Sequence, residues 1–359
     1  MTPDRHRTWW IPLVLAVLAI CALTPAASQA YPRSLRCEYV EWGPPGPVGN
    51  VVEIAGNDNV QVRREADLVL VGSSAANSPR PFGEVPCGTQ PTVTNIDRIV
   101  YRGEPVPGNA EHQFLLDLRE GALAPGASPE AEDSEIEVEV VLPPQPRARP
   151  RVQLLTGEGR DSIELHGGAG RLVVSLEPWP SQRPWPSGGA PDADLLVATP
   201  PRTVELKVHT GEGGDVLDGR GLDRHRGLVR SLLLAGDEGK DTLLGTERSD
   251  QLQGGAGPDR LYGRDGHDLL YPSAGEDTSS GGPGDDFISG RRGSSEPDIQ
   301  PDNYYGGSGE DYIDARLGGR DRIDCGTDHD EAVADREDEL LDDGCELVRG
   351  PAAFRRIAP

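Results

Sequence analysis

Residues 236–289 repeat one pattern of apolar and polar positions every nine residues. The units read GDEGKDTLL, GTERSDQLQ, GGAGPDRLY, GRDGHDLLY, PSAGEDTSS and GGPGDDFIS, with nothing between them. Position eight is apolar at Leu243, Leu252, Leu261, Leu270 and Ile288, and Ser279 stands there once. Position six is Asp in every unit: Asp241, Asp250, Asp259, Asp268, Asp277 and Asp286. Position four is Gly except at Arg248. After a spacer at 290–305 the pattern resumes as GGSGEDYID with Asp311. A slipped copy at 316–324 follows with Asp321, and CGTDHD carries Asp330 in the same role. Two isolated copies precede the block, TGEGRDSIE with Asp161 and TGEGGDVLD with Asp215.

Residues 31–235 lack this period but alternate at period two. SEIEVEVVL (134–142) puts Ile136, Val138, Val140 and Leu142 on one face and glutamates on the other. TVELKVH (203–209) does the same with Val204, Leu206 and Val208, and similar runs occur at 66–71, 97–101, 112–118 and 171–176. Such alternation predicts half-buried strands, and frequent Pro and Gly leave little room for helices. Pro-rich stretches at 143–150 and 177–191 read as loops pushed out of the strand pattern. Trp179 and Trp185 lie in the second.

The nine-residue period has a direct structural meaning. Glycines turn the chain tightly, and the last three residues of each unit form a short strand with its middle side chain inward. One unit is a turn plus a strand, and two make a full coil. Units 18 residues apart then stack about 4.8 Å apart. Asp241, Asp259 and Asp277 fall in one column, and Asp250, Asp268 and Asp286 in another. Asp241 opens the unbroken run, so it is expected to head its column while Asp259 has neighbours on both sides. Stacked carboxylates repel unless cations lie between them, and carboxylates with turn carbonyls are the hard oxygen donors that suit calcium.

At these residues the chain resembles the hemolysin-type calcium-binding repeat family, whose consensus is GGxGxDxUx with U apolar. GGAGPDRLY, GGPGDDFIS and GGSGEDYID meet every defined position. The resemblance implies a secreted, all-β protein: a parallel β-roll or β-solenoid with calcium at its Gly-Asp turns. The metal-site residues it points to are Asp161, Asp215, Asp241, Asp250, Asp259, Asp268, Asp277, Asp286, Asp311 and Asp321. The strands before 156 look like degenerate early coils of the same solenoid. A separate small β-sandwich over 31–150 is the alternative.

Composition narrows the classes. Asp and Glu total 60 against 35 Lys and Arg, for a net charge of −25. A surface this acidic repels nucleic acid and attracts cations. Apolar residues are 35 % and aromatics 5 %, thin for a globular enzyme core. Residues 1–30 carry Arg5 and Arg7, an apolar run at 9–23 and the small-residue end Ser28-Gln29-Ala30, the pattern of a secretory signal peptide. The run is too short to span a bilayer, so no membrane span is expected after cleavage. Cys21 follows Leu18-Ala19-Ile20, similar to a lipoprotein box except for the bulky Ile20.

Beyond residue 30 there are four cysteines, Cys37, Cys87, Cys325 and Cys345, which allow three pairings. The local pairs, Cys37 with Cys87 and Cys325 with Cys345, would staple each end of the chain. No CxxC spacing suggests zinc or redox chemistry.

The organisation expected is a signal segment at 1–30 and degenerate β coils at 31–155. Irregular coils with the Pro-rich insertion follow at 156–235, then the calcium-binding roll at 236–324 and a C-terminal cap at 325–359. No GxSxG, HExxH or P-loop is present, and His112, His166, His209, His225, His267 and His329 are scattered. The expected function is therefore a secreted, non-enzymatic calcium-binding protein. Its expected partners are calcium ions and cell-surface or matrix components. The alternative is an extracellular adhesive or ligand-binding protein that uses the Pro-rich loops, and a hydrolase hidden in 31–235 is the third class.

Overall fold

A computed structural model describes residues 35–42, 49–56, 59–73, 83–92, 96, 98–105, 112–120, 136–142, 150–168, 171–176, 195–198, 204–225, 227–290, 300–316, 319–341, 344–350 and 355–356. The signal-like segment, Trp179, Trp185 and nearly all of both Pro-rich stretches lie outside them. The described residues belong to one structural unit, 34–359, and form strands with a single 3-10 turn at Arg220–Leu222.

In the repeat region successive strands alternate between two sheets. Thr242–Leu244, Arg260–Tyr262, Thr278–Pro283, Asn303–Ser308 and Arg322–Thr327 stack in parallel in one. Gln251–Ala256, Leu269–Ala274, Phe287–Ser289, Tyr312–Asp314 and Asp330–Val333 stack in the other. Register is set by the repeat, with Thr242 opposite Arg260 and Arg260 opposite Thr278. The eighth positions point inward. Leu243, Leu252, Leu261, Leu270, Ile288, Ile313 and Ile323 are fully buried in one core, where each Leu or Ile contributes about 1.5–3 kcal/mol.

The same two sheets continue through the N-terminal half. Arg98–Gly103 and Glu137–Val141 run parallel in the first sheet, and Val60–Glu65, Gln113–Asp117, Arg151–Leu155 and Val204–His209 in the second. This is a continuous solenoid, so the separate sandwich over 31–150 does not occur. The alternating residues of 136–142 and 204–208 face the core as their period requires: Ile136, Val138, Val140, Leu142, Val204, Leu206 and Val208 are buried.

The departures from the parallel pattern are local. Arg36–Trp42 folds back antiparallel on Gly49–Gly56, and Leu68–Ser73 on Val60–Glu65. Ser162–Gly168, Arg171–Ser175 and Leu195–Ala198 form a meander that adds two strands to the first sheet only. Antiparallel neighbours need only a short connection, and Gly168 and Arg171 are close enough in sequence to supply one.

Disulfides staple both ends, and the C-terminal one joins the two sheets. Cys325, on Arg322–Thr327, bonds Cys345, on Cys345–Arg349 of the opposite sheet. Closing that 20-residue loop stabilises the fold by roughly 3 kcal/mol on the loop-entropy model. At the other end Cys37 bonds Cys87, and the Tyr39 N–H donates to the Cys87 carbonyl at 3.0 Å. That segment covers part of a strand edge that would otherwise invite pairing with another chain.

Inward and outward positions should separate cleanly in stability. Leu261→Ala, at a fully buried site, is expected to cost about 2–5 kcal/mol in urea denaturation at saturating calcium. Leu269→Ala, 39 % exposed on the outer face, should cost below about 1 kcal/mol. Equal losses would contradict the two-faced arrangement.

Candidate metal centre

Each turn is built on backbone that few residues tolerate. Position two takes a left-handed φ in five of the six units whether or not it is glycine: Gly255 (φ 121°) and Gly282 (φ 114°), but also Asp237 (φ 65°), Arg264 (φ 80°) and Ser273 (φ 84°). At position four Gly257 (φ 122°) lies so close to the turn before it that an added Cβ would run into the Gly239 carbonyl. Turns packed this tightly hold the sixth-position aspartates in line.

Those aspartates form two hydrogen-bonded ladders. In the first, the N–H of Asp161 donates to Oδ1 of Asp215 (2.7 Å), Asp215 to Asp241 (2.8 Å) and Asp241 to Asp259 (2.9 Å). It runs on from Asp259 to Asp277 (2.8 Å), Asp302 (2.9 Å), Asp321 (2.9 Å) and Asp338 (3.1 Å). In the second, the N–H of Asp250 donates to Asp268 (2.8 Å), Asp268 to Asp286 (2.7 Å) and Asp286 to Asp311 (2.8 Å). Asp311 continues to Asp330 (2.9 Å), whose N–H meets Oε2 of Glu346 (2.6 Å). Except for Asp161, which is half-buried, these aspartates are at most 5 % exposed.

One carboxylate oxygen is thus spoken for and the other is not. Oδ2 of Asp241, Asp259, Asp268, Asp286, Asp311 and Asp321 is buried with no donor. The position-one glycine shows what surrounds it. A Cβ on Gly254 would strike both Asp259 Oδ2 and the Pro272 carbonyl of the next turn. Gly263 stands likewise between Asp268 Oδ2 and the Gly281 carbonyl, and Gly281 between Asp286 Oδ2 and the Gly306 carbonyl. Each cradle is therefore lined by a carboxylate oxygen and a carbonyl oxygen from successive turns. A buried acceptor left unmatched costs several kcal/mol, and a hard cation is the partner this donor set fits.

Electrostatics agree. Burial, with repulsion from the neighbouring Asp241 carboxylate, raises Asp259 to about 7. Burial and the charges of Asp250, Asp286 and Asp265 raise Asp268 to about 8. Burial also dominates at Asp311, raised to about 7, and Asp321, raised to about 8. Such groups hold a proton near neutrality unless a cation replaces it.

All ten aspartates singled out in the sequence lie on these ladders: Asp161, Asp215, Asp241, Asp259, Asp277 and Asp321 on one, Asp250, Asp268, Asp286 and Asp311 on the other. Asp241 does not head its column, because an excursion of chain around the 3-10 turn brings Asp215 next to it. Asp302 and Asp338 were missed. Asp302 sits inside the stretch read as a spacer, and both lie in units without the glycines, PDIQPDNYY and VADREDELL. Asp at position six with an apolar residue at position eight would have found them.

Residues 235–270, 244–279 and 271–294 match the family profile of the RTX calcium-binding nonapeptide repeat, in four copies. The chain carries hemolysin-type calcium-binding repeats. Calcium is the ion that RTX nonapeptides bind, and the parallel-rich all-β architecture is that of a β-roll. No curated protein and no solved structure gives a significant match to the chain. Among the described residues no three His, Cys, Asp or Glu side chains converge on one point. A calcium ion in this roll would therefore draw on backbone carbonyls as well as carboxylates, as hard cations accept.

His112 is buried against the Tyr101 hydroxyl (3.4 Å), His166 pairs with Glu164 (3.0 Å), and His267 is exposed beside Asp285.

The raised aspartates fix the sign of pH dependence. With their folded pKa values above the unfolded one, these aspartates contribute stability to the metal-free roll that is full below about pH 4 and is lost as pH rises through 6–8. Calcium should reverse that slope, because cations displace the protons. Urea midpoints at pH 5 and pH 8, in chelator and in calcium, test this; the same slope in both would contradict it.

Proposed function

We propose that this is an extracellular calcium-binding protein whose β-roll folds and stiffens as calcium enters between stacked turns. Asp241, Asp259, Asp268, Asp277, Asp286, Asp311 and Asp321 would supply the carboxylates, and position-one carbonyls such as those of Pro272, Gly281 and Gly306 further oxygens. The observation that carries this reading is the row of buried Oδ2 atoms without donors, set at Asp259, Asp268, Asp286 and Asp311 against a carbonyl of the next turn.

Export is supported by the signal-like pattern of residues 1–30 and by two disulfides, which persist in oxidising compartments. No helix among the described residues is long and apolar enough to cross a membrane. RTX repeats are structural or toxin-associated and not themselves catalytic. The role proposed is structural or surface-associated and non-enzymatic.

A second reading, adhesion to a surface ligand, draws on the outer face of one sheet. Tyr271, Phe287 and Tyr312 line up there with ring centroids 6.0 and 5.2 Å apart, beside the exposed Leu269.

Calcium added to the chelated protein should create β structure, read by circular dichroism, in roughly the 10⁻⁴–10⁻³ M range of extracellular modules. Magnesium should substitute poorly, since it demands a small octahedral shell and dehydrates reluctantly. A spectrum unchanged at millimolar calcium would sink the proposal.

A further inference from the structure

The aspartate ladders are not uniform along their length, and both of their first members differ from most of the interior ones. At Asp250, which opens the second ladder, Oδ2 is not left bare. The N–H and Oγ1 of Thr246 both donate to it, at 2.6 and 2.8 Å. The turn that makes this possible departs from its neighbours. Thr246 and Arg248, at positions two and four, stay out of the left-handed region that the corresponding residues of the adjoining turns occupy. The turn is anchored instead to the coil before it. Asp223 accepts from the Glu247 N–H (2.8 Å), and Arg248 donates to the Val229 carbonyl (2.6 Å).

The first ladder opens the same way. Asp161 Oδ2 is the nearest acceptor of the Thr156 hydroxyl, which also lies 3.0 Å from the Thr210 carbonyl. Farther along, Asp302 Oδ2 takes the Tyr304 hydroxyl at 2.7 Å. Wherever the chain places a donor of its own on Oδ2, the acceptor that would draw a cation is already satisfied.

Resting on the calcium reading above, we infer that Thr156 and Thr246 close the two columns with protein hydrogen bonds in place of a cation, so that the Asp161 and Asp250 turns are metal-free caps. Calcium loading is confined to the interior members, and the caps keep their structure without it. A hydroxyl is a neutral donor of the right reach, while a hydrated dication would have to displace both it and, at Asp250, a backbone N–H. The caps give the calcium-dependent turns a formed edge on which to stack, which spares them an unassisted first coil.

Isothermal titration with calcium on the full chain separates heads from interior. Asp250→Asn and Asp161→Asn should keep the parent stoichiometry and a midpoint within two-fold. Asp259→Asn and Asp268→Asn should each lose at least one ion. A head variant that loses as many ions as an interior one overturns the inference. A parent that takes up no calcium removes the calcium reading itself, and this one with it. Hydrogen exchange on the unmodified protein gives an answer even where a variant fails to fold. Protection over 245–250 should change less than two-fold between chelator and calcium, while 254–262 loses at least ten-fold in chelator. Equal loss in the two segments overturns the caps.

Discussion

The interaction on which the structure depends is the bond from one aspartate's backbone N–H to the Oδ1 of the aspartate one coil on. It fixes the carboxylate of every turn over the turn before it, and so commits the fold to columns of like charge. At strand spacing, neighbouring carboxylates repel by on the order of 3 kcal/mol at an effective dielectric of about 20. Burial adds to this, as the raised aspartates from Asp241 to Asp321 show. A ladder that binds the backbone with one oxygen and strands the other is stable only with something positive or protic at the second. A glycine at position one leaves room where Oδ2 points, as at Gly254, Gly263 and Gly281, and a glycine at position four lets successive turns meet backbone to backbone, as at Gly257 and Gly284.

What the ladder conserves is stacking order, not sequence distance. Asp259 and Asp277 are 18 residues apart, Asp277 and Asp302 are 25, and Asp161 and Asp215 are 54, yet each pair makes the same bond at 2.7–2.9 Å. Extra chain between two paired units leaves the register above and below intact. Both columns take up the same extra length of sequence, so Asp286 reaches Asp311 across 25 residues too. Long surface insertions cost little entropy, which is why the solenoid tolerates them.

This explains how far the sequence could be read. Within 236–289 the period itself states strand, turn and inward residue, and Leu243, Leu252, Leu261 and Leu270 are buried as their position demands. The pairing of Asp215 with Asp241 was illegible, because the 219–228 detour breaks the count and no local pattern says where it returns. Asp302 and Asp338 were hidden because glycine was taken as the signature of a turn, whereas the ladder requires only the aspartate and an inward neighbour. The meander at 162–198 was hidden for another reason: period two marks a strand but not the direction of its partner. Nor did spacing reveal the Asp-x-Arg clamps at strand ends. There Asp117, Asp218 and Asp314 each hold the arginine two residues on, with contacts of 2.6–2.7 Å.

The same acceptor can be satisfied in more than one way, and the alternatives compete. A proton, a cation or a neighbouring hydroxyl can each meet Oδ2, but they differ in what they do to the column. A proton removes one charge and adds no link between turns. A hydroxyl from Thr156, Thr246 or Tyr304 is specific to one site and permanent. A calcium ion held between stacked turns would neutralise carboxylate charge and, by taking a carbonyl from the next turn, would also tie coils together. Only that third solution strengthens with every turn added, since each ion prepares one side of the following site. A chain that uses hydroxyls at the heads, disulfides at both ends and bare carboxylates between them has therefore placed its condition-dependent bonds in the interior of the roll, where their loss or gain changes the most structure.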